Sequence, residues 1–226
     1  VAAIGKSRRK AIKLNTFPGD ILLQVFDFCR PEASETDENF YNWWHGLVHV
    51  CQRWRQLVFG SPCRLNLQLL CTRKSPVRKK LDCWPKVPIA INIKGRRNLS
   101  RTQEDNLLAI FEHSDRVCSV TLSITRPQLE KVVKMMLKQF PALTHLRVLT
   151  SCDSFRCCSS LPSEFLGGPA SVGLRELHIS GISPPALPSG LLSASDLVDL
   201  HLRDFTMTDH VSPEAMVARL SVMTKL

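Results

Sequence analysis

The chain has no run of about eighteen apolar residues, so none of its helices is expected to span a bilayer. No secretory signal is visible either, because the N-terminus is rich in Lys and Arg with no apolar segment behind it. Gly-rich phosphate loops, a Gly-x-Ser-x-Gly elbow and a His-Glu-x-x-His pair are all missing, and Gly167-Gly168-Pro169 is the signature of a turn. These absences remove the commonest enzyme classes, and a non-catalytic protein without a cofactor is expected. No Cys-x2-Cys pair occurs among the nine cysteines, most of which sit in apolar periodic segments. An odd number so placed is expected of reduced core thiols in a cytoplasmic or nuclear protein. Cys152, Cys157 and Cys158 are the exception, but three local thiols fall short of a zinc set, and they are read as loop cysteines.

What is present is ordinary in amount and uneven in distribution. With 226 residues, 44% of them hydrophobic, the chain can bury a substantial core, and one small module plus one larger domain is the natural division. The net charge of +10 is local: residues 64–101 carry 11 basic groups and 1 acidic group, whereas residues 102–226 carry 11 and 13. That block includes Arg73, Arg78, Lys79, Lys80, Lys94, Arg96, Arg97 and Arg101. Such a face attracts acidic or phosphorylated protein, an anionic surface or nucleic acid, or is simply a solvated face. Aromatic residues spaced for base stacking are absent from it, which argues against nucleic acid. Residues 1–13 are basic without one acid and are expected to be a disordered tail that resembles a nuclear-import patch.

Helical periodicity dominates the segment from Phe17 to Pro62. Pro18 and Asp20 suit the opening turn of a first helix, in which Ile21, Leu22, Val25, Phe26 and Cys29 lay down an apolar stripe as far as Pro31. After an acidic spacer, Phe40, Trp43, Trp44, Leu47, Val48, Cys51, Trp54 and Val58 recur at three and four, which predicts one long second helix. Two helices carry more apolar surface than they can hide between themselves.

Phe-Pro-x-Asp-Ile-Leu-x-x-Val-Phe (17–26) followed by Leu-Val-x-Val-Cys-x-x-Trp-Arg (47–55) resembles the F-box. The continuation through Phe59 to Thr72 and Leu81 to Ile89 is similar to fungal F-box proteins with leucine-rich-repeat-like tails. The resemblance implies that the module binds a Skp-type adaptor and, through it, a cullin-RING ligase, while the tail holds a protein substrate for ubiquitination. It implies adaptor contacts at Phe17, Pro18, Ile21, Leu22, Val25, Phe26, Leu47, Val50, Cys51 and Trp54.

Beyond residue 62 the period changes from 3.6 to 2. Leu65, Leu67 and Leu69 alternate as a short strand, Ser75 to Trp84 reads as a helix, and Ile89, Ile91 and Ile93 alternate again. Strand, helix and strand in so few residues is the unit of a parallel sheet backed by helices. One template then recurs: Val117-x-x-Val120-x-Leu122, Leu143-x-x-Leu146-x-Val148, Leu174-x-x-Leu177-x-Ile179 and Leu197-x-x-Leu200-x-Leu202. Helices are expected at Gln103–His113, Pro127–Phe140 and Pro213–Met223, with loops at 151–173 and 181–196. Leu226 would open a further unit, so the chain is expected to stop inside a repeat. An irregular leucine-rich-repeat-like arc over 63–226 is the expected α/β architecture, behind an F-box-like module at 14–62.

Residues between the template leucines share the other strand face. One row is Ser119, His145, Glu176 and Asp199; the next is Thr121, Arg147, His178 and His201; the third is Ser123, Leu149, Ser180 and Arg203. Strands about 4.8 Å apart bring His178 beside His201, with Glu176 and Asp199 next to them. A metal site, an acid and base pair, a ligand grip and unspecialised solvent-facing residues are all compatible with that cluster. The expectation is a target-binding surface of Arg147, Glu176, His178, Asp199, His201 and Arg203, with Arg78, Lys79, Arg96 and Arg97 from the basic block, and no metal. Two alternatives are a repeat scaffold that binds no adaptor and a binder of anionic surfaces through residues 73–101.

Overall fold

The computed structural model describes residues 16–31, 38–73, 76–84, 87–95, 99–151, 161–168, 173–182 and 196–203, together with 188, 191, 214, 217, 218, 221 and 225. The basic tail, Arg96, Arg97, the three cysteines after Ser151 and Leu226 lie outside the described residues, as does most of the predicted helix 213–223. The chain divides into two compact units between Leu67 and Gln68.

The first unit is helical: α1 (Gly19–Phe28), α2 (Glu38–Val48) and α3 (Gln52–Gly60). The single helix expected across Phe40–Val58 is thus two. Cys51 is extended (φ −160°, ψ 168°) and starts α3, while the Arg55 Nε–H donates to the Val48 carbonyl at 3.0 Å. That bond satisfies one of the carbonyls a helix end leaves without a partner, so the break costs little. Ring contacts tie the helices together, Phe26 of α1 to Trp54 of α3 (centroids 4.6 Å apart) and Trp44 of α2 to Phe59 of α3 (5.9 Å). The Arg53 guanidinium donates to the Phe17 carbonyl and fixes the start of α1 to α3.

The second unit is built on a six-stranded, wholly parallel sheet whose strands follow chain order. These are β1 (Leu69–Thr72), β2 (Ile89–Lys94), β3 (Val117–Thr125), β4 (His145–Ser151), β5 (Glu176–Ser180) and β6 (Asp199–Arg203). Helices α4 (Val77–Cys83), α5 (Arg101–Glu112) and α6 (Arg126–Met135) make the connections β1–β2, β2–β3 and β3–β4. Parallel neighbours need such crossovers. The first strand begins later than the Leu65–Leu69 alternation predicts, because Asn66 adopts a positive φ (47°) and residues 62–66 turn instead of extending. Leu65 and Leu67 are nonetheless buried.

Capping marks two helices clearly. The Gln103 N–H donates to Ser100 Oγ at 3.4 Å while the Ser100 N–H donates to Gln103 Oε1 at 3.0 Å, and at α6 the return half recurs, the Thr125 N–H donating to Gln128 Oε1 at 3.1 Å. Helix α6 stops at Met135, short of the predicted Phe140, since the Met136 carbonyl accepts the Leu166 N–H at 2.9 Å and leaves the helical ladder.

One face of the sheet is apolar and packed. Ile89, Ile91, Ile93, Val120, Leu122, Leu146, Val148, Leu177 and Ile179 are buried, as are Leu107, Ile110 and Phe111 of α5 and Leu129, Val132 and Val133 of α6. Phe111 and Phe140 meet edge to face with centroids 5.7 Å apart. Cys118 is an extra residue in β3: Ile89 pairs with Val117 but Ala90 pairs with Ser119, and the thiol of the skipped residue donates to the Ile89 carbonyl at 3.3 Å. Arg116, just before β3, donates to the Trp84 carbonyl (2.8 Å) and the Val87 carbonyl (2.7 and 3.2 Å), holding the chain that enters β2. No helix among the described residues is long and apolar enough to cross a membrane.

Candidate functional site

Helix α1 carries apolar residues on two faces, not one. Leu22, Leu23 and Phe26 are fully or almost fully buried, whereas Ile21 (42% exposed), Val25 (38%) and Phe28 (90%) remain open to solvent. Positions 21, 25 and 28 stand four and three apart and so form a second stripe, extended backwards by exposed Pro18. The resemblance-based contact set is therefore corrected at Leu22 and Phe26. Both are core residues in this conformation and offer no surface to a partner. Phe17, Leu47, Cys51 and Trp54 are half-buried, and Val50, in the turn between α2 and α3, is 57% exposed. The Trp54 Nε1–H is shielded from solvent and meets no acceptor. Phe28 is absent from the sequence-derived set, although its seven-residue step from Ile21 was there to find it.

In the sheet unit the rows predicted for the polar face are the observed register. Ser119, His145, Glu176 and Asp199 are successive partners across four strands, and so are Thr121, Arg147, His178 and His201. Strand periodicity turns these side chains away from the packed face. Imidazole–carboxylate contacts run along and between the rows. His145 Nε2 lies 3.4 Å from Glu176 Oε1, while its Nδ1 is 2.7 Å from Thr144 Oγ1. The Thr144 hydroxyl donates to the Cys118 carbonyl at 3.1 Å, which leaves its oxygen as the acceptor for His145 Nδ1 in the tautomer that carries the proton there.

Asp199 sits between two imidazoles. Its Oδ1 is 2.9 Å from His201 Nε2 and its Oδ2 is 3.4 Å from His178 Nε2, the second contact lacking hydrogen-bond alignment. The two rings stack at a tilt with centroids 4.3 Å apart. Burial lowers the His178 pKa, and the charges of Arg147 and His201 push it the same way, against the opposing pull of Asp199. Arg147, Leu149, His178, Ser180, His201 and Arg203 line an open depression of about 300 Å³ on this face.

The basic block is less uniform than its sequence suggests. Arg78, Lys79, Lys94 and Arg101 are exposed. Lys80 instead donates to the Leu70 carbonyl at 2.8 Å and Arg73 to Gln103 Oε1 at 3.1 Å, so these two charges brace the sheet unit. Arg96 and Arg97 lie outside the described residues.

Chemically, the sheet face offers two imidazoles and two guanidiniums lining one depression, with the Asp199 carboxylate in contact with both imidazoles, a combination able to hold an ion or grip a polar partner. Compared with protein family models, curated proteins and solved structures, the chain matches none.

Proposed function

We propose that the chain is the substrate-recognition subunit of an SCF-type cullin-RING ubiquitin ligase, working in the cytoplasm or nucleus. The helical unit would engage a Skp-type adaptor, and the sheet unit, read as an irregular leucine-rich-repeat-like array, would hold a protein target. The observation that carries this reading is the outward stripe of α1. Ile21, Val25 and Phe28 expose apolar surface on a helix whose opposite face is already fully engaged, and water-facing apolar side chains aligned at helical spacing mark a surface for another polypeptide. Its place within the F-box-like motif supports an adaptor as the occupant. The strand order and the helices on the apolar face support the repeat reading of the tail.

Under this reading the chain itself performs no bond chemistry. It raises the local concentration of a captured target near the ligase's ubiquitin carrier. The polar strand face, with Arg147, Glu176, His178, Asp199, His201 and Arg203, is the target surface proposed.

Capture of a purified Skp-type adaptor by the full chain tests the proposal. The parent chain retains the adaptor, and the Ile21→Gln/Val25→Gln variant, altered only at exposed positions, releases it. Failure of the folded parent chain to retain any adaptor sinks the assignment.

A further inference from the structure

We propose that His178, Asp199 and His201 form a binding site for one divalent transition metal ion of the Zn²⁺ class, with a fourth coordination position facing solvent. Asp199 and His201 are two residues apart on β6 and therefore project from the same face, and His178 of β5 is the direct register partner of His201. The ligating atoms of the three side chains all lie within 4.8 Å of one another. Metal bonds of about 2.1 Å in tetrahedral geometry place donors about 3.4 Å apart. Asp199 reaches both rings, Oδ1 lying 2.9 Å from His201 Nε2 and Oδ2 3.4 Å from His178 Nε2, so one carboxylate oxygen turned between the two nitrogens serves as the third donor. Small rotations of the two rings complete the set.

Two further features favour an ion. His178 Nε2 is shielded from water, and its polar neighbour Asp199 Oδ2, 3.4 Å away, is not aligned for a hydrogen bond, a poorly satisfied arrangement that a coordinated metal improves. Two imidazoles with one carboxylate is also the donor mixture of open zinc sites, whereas calcium and magnesium require oxygen alone. Binding requires a neutral His201 ring with its proton on Nδ1, so that the Nε2 lone pair now directed at Asp199 takes up the metal. Arg147 and Arg203 line the same depression and oppose a dication. The affinity is accordingly weaker than that of a closed four-ligand site, and the fourth position favours an anionic oxygen ligand.

The test is titration of the full chain, its accessible thiols alkylated first, with Zn²⁺ by calorimetry and with Co²⁺ by visible absorption. One equivalent binds, and the cobalt spectrum shows tetrahedral nitrogen and oxygen ligation without a thiolate charge-transfer band. In the His178→Ala/His201→Ala variant, checked for folding by circular dichroism, affinity for that equivalent falls more than the ~10- to 100-fold expected for losing an outer-shell partner. Asp199→Asn, nearly isosteric, weakens binding in the same direction and serves if the double variant misfolds. Absence of Zn²⁺ binding by the parent chain, undiminished affinity in the variants, or a spectrum dominated by thiolate ligation overturns the proposal.

Discussion

Phe28 is the sharpest test of the adaptor surface, because it is 90% exposed and yet belongs to the same helix as fully buried Phe26. A phenylalanine side chain accounts for roughly 150–250 Å² of buried area when covered, so full closure over Phe28 is worth at most about 4–6 kcal/mol at ~25 cal/mol per Å². Ordering costs at an interface consume part of that, leaving about 2–3 kcal/mol, or a loss of roughly 30- to 150-fold in adaptor affinity on truncation. Phe28→Gln is the suitable change, since Asp would place a negative charge at the C-terminal end of α1 and weaken the helix for an unrelated reason. Its stability should stay within about 0.5 kcal/mol of the parent, as for other exposed substitutions. Phe26→Ala provides the contrast. It removes the ring packed on Trp54 and should cost about 3–5 kcal/mol of stability, losing adaptor binding only because the module loosens. Paired measurements of adaptor affinity by calorimetry and of unfolding by urea separate the two cases. An affinity for Phe28→Gln indistinguishable from the parent's would refute the assignment of this stripe to the adaptor.

Three other outcomes follow from the sheet unit. Burial pushes the thiols of Cys71 and Cys118 up to about 11, from 9.0 when unfolded, so their contribution to stability is complete below pH 9 and is lost as pH rises through 11. Each should then cost about 2–3 kcal/mol at high pH, read as a falling urea midpoint, and at neutral pH native alkylation should mark exposed Cys29, Cys63 and Cys83 well before either. Arg116→Ala removes the guanidinium from the Trp84 and Val87 carbonyls, of which Trp84 keeps the Val87 N–H, and should destabilise by about 1–3 kcal/mol, with Arg116→Lys intermediate because one ammonium cannot reproduce the guanidinium fork; equal melting of all three chains would contradict this. Gly181 sits at φ +79° with its missing Cβ directed onto Thr150, so Gly181→Ala should lose more than ~1 kcal/mol, visible as a lower Tm.

The sheet was legible in the sequence for a simple reason. The last two positions of the Leu-x-x-Leu-x-Leu template are two apart, as strand alternation requires, and equal offsets from the template leucine fix which side chains become cross-strand partners, as for His178 and His201. Helical spacing is less informative. Steps of three and four continue unbroken from Leu47 and Val48 through Cys51 to Trp54, so nothing in the pattern marks the break that Cys51 and Arg55 create in space. The same ambiguity hid Phe28: a helix with apolar residues at 21, 22, 23, 25, 26 and 28 does not declare which of its faces the rest of the module covers. Cys118 is marked only by the step of three from Val117 to Val120 against the step of two from Ile89 to Ile91, and the template, which has the longer step in every unit, disguises it. The charge count of the basic block could not tell Lys80, which bonds the Leu70 carbonyl, from exposed Lys79.

A sheet whose strands pair in the order they are translated never asks an early segment to wait for a distant one. Each new strand finds its only prerequisite already laid down, so the domain can accrete during synthesis, adding one layer at a time behind the ribosome. Damage should be equally directional: a lesion in the final strands leaves the earlier layers a self-sufficient body, while one in β2 or β3 undermines all that is laid on it.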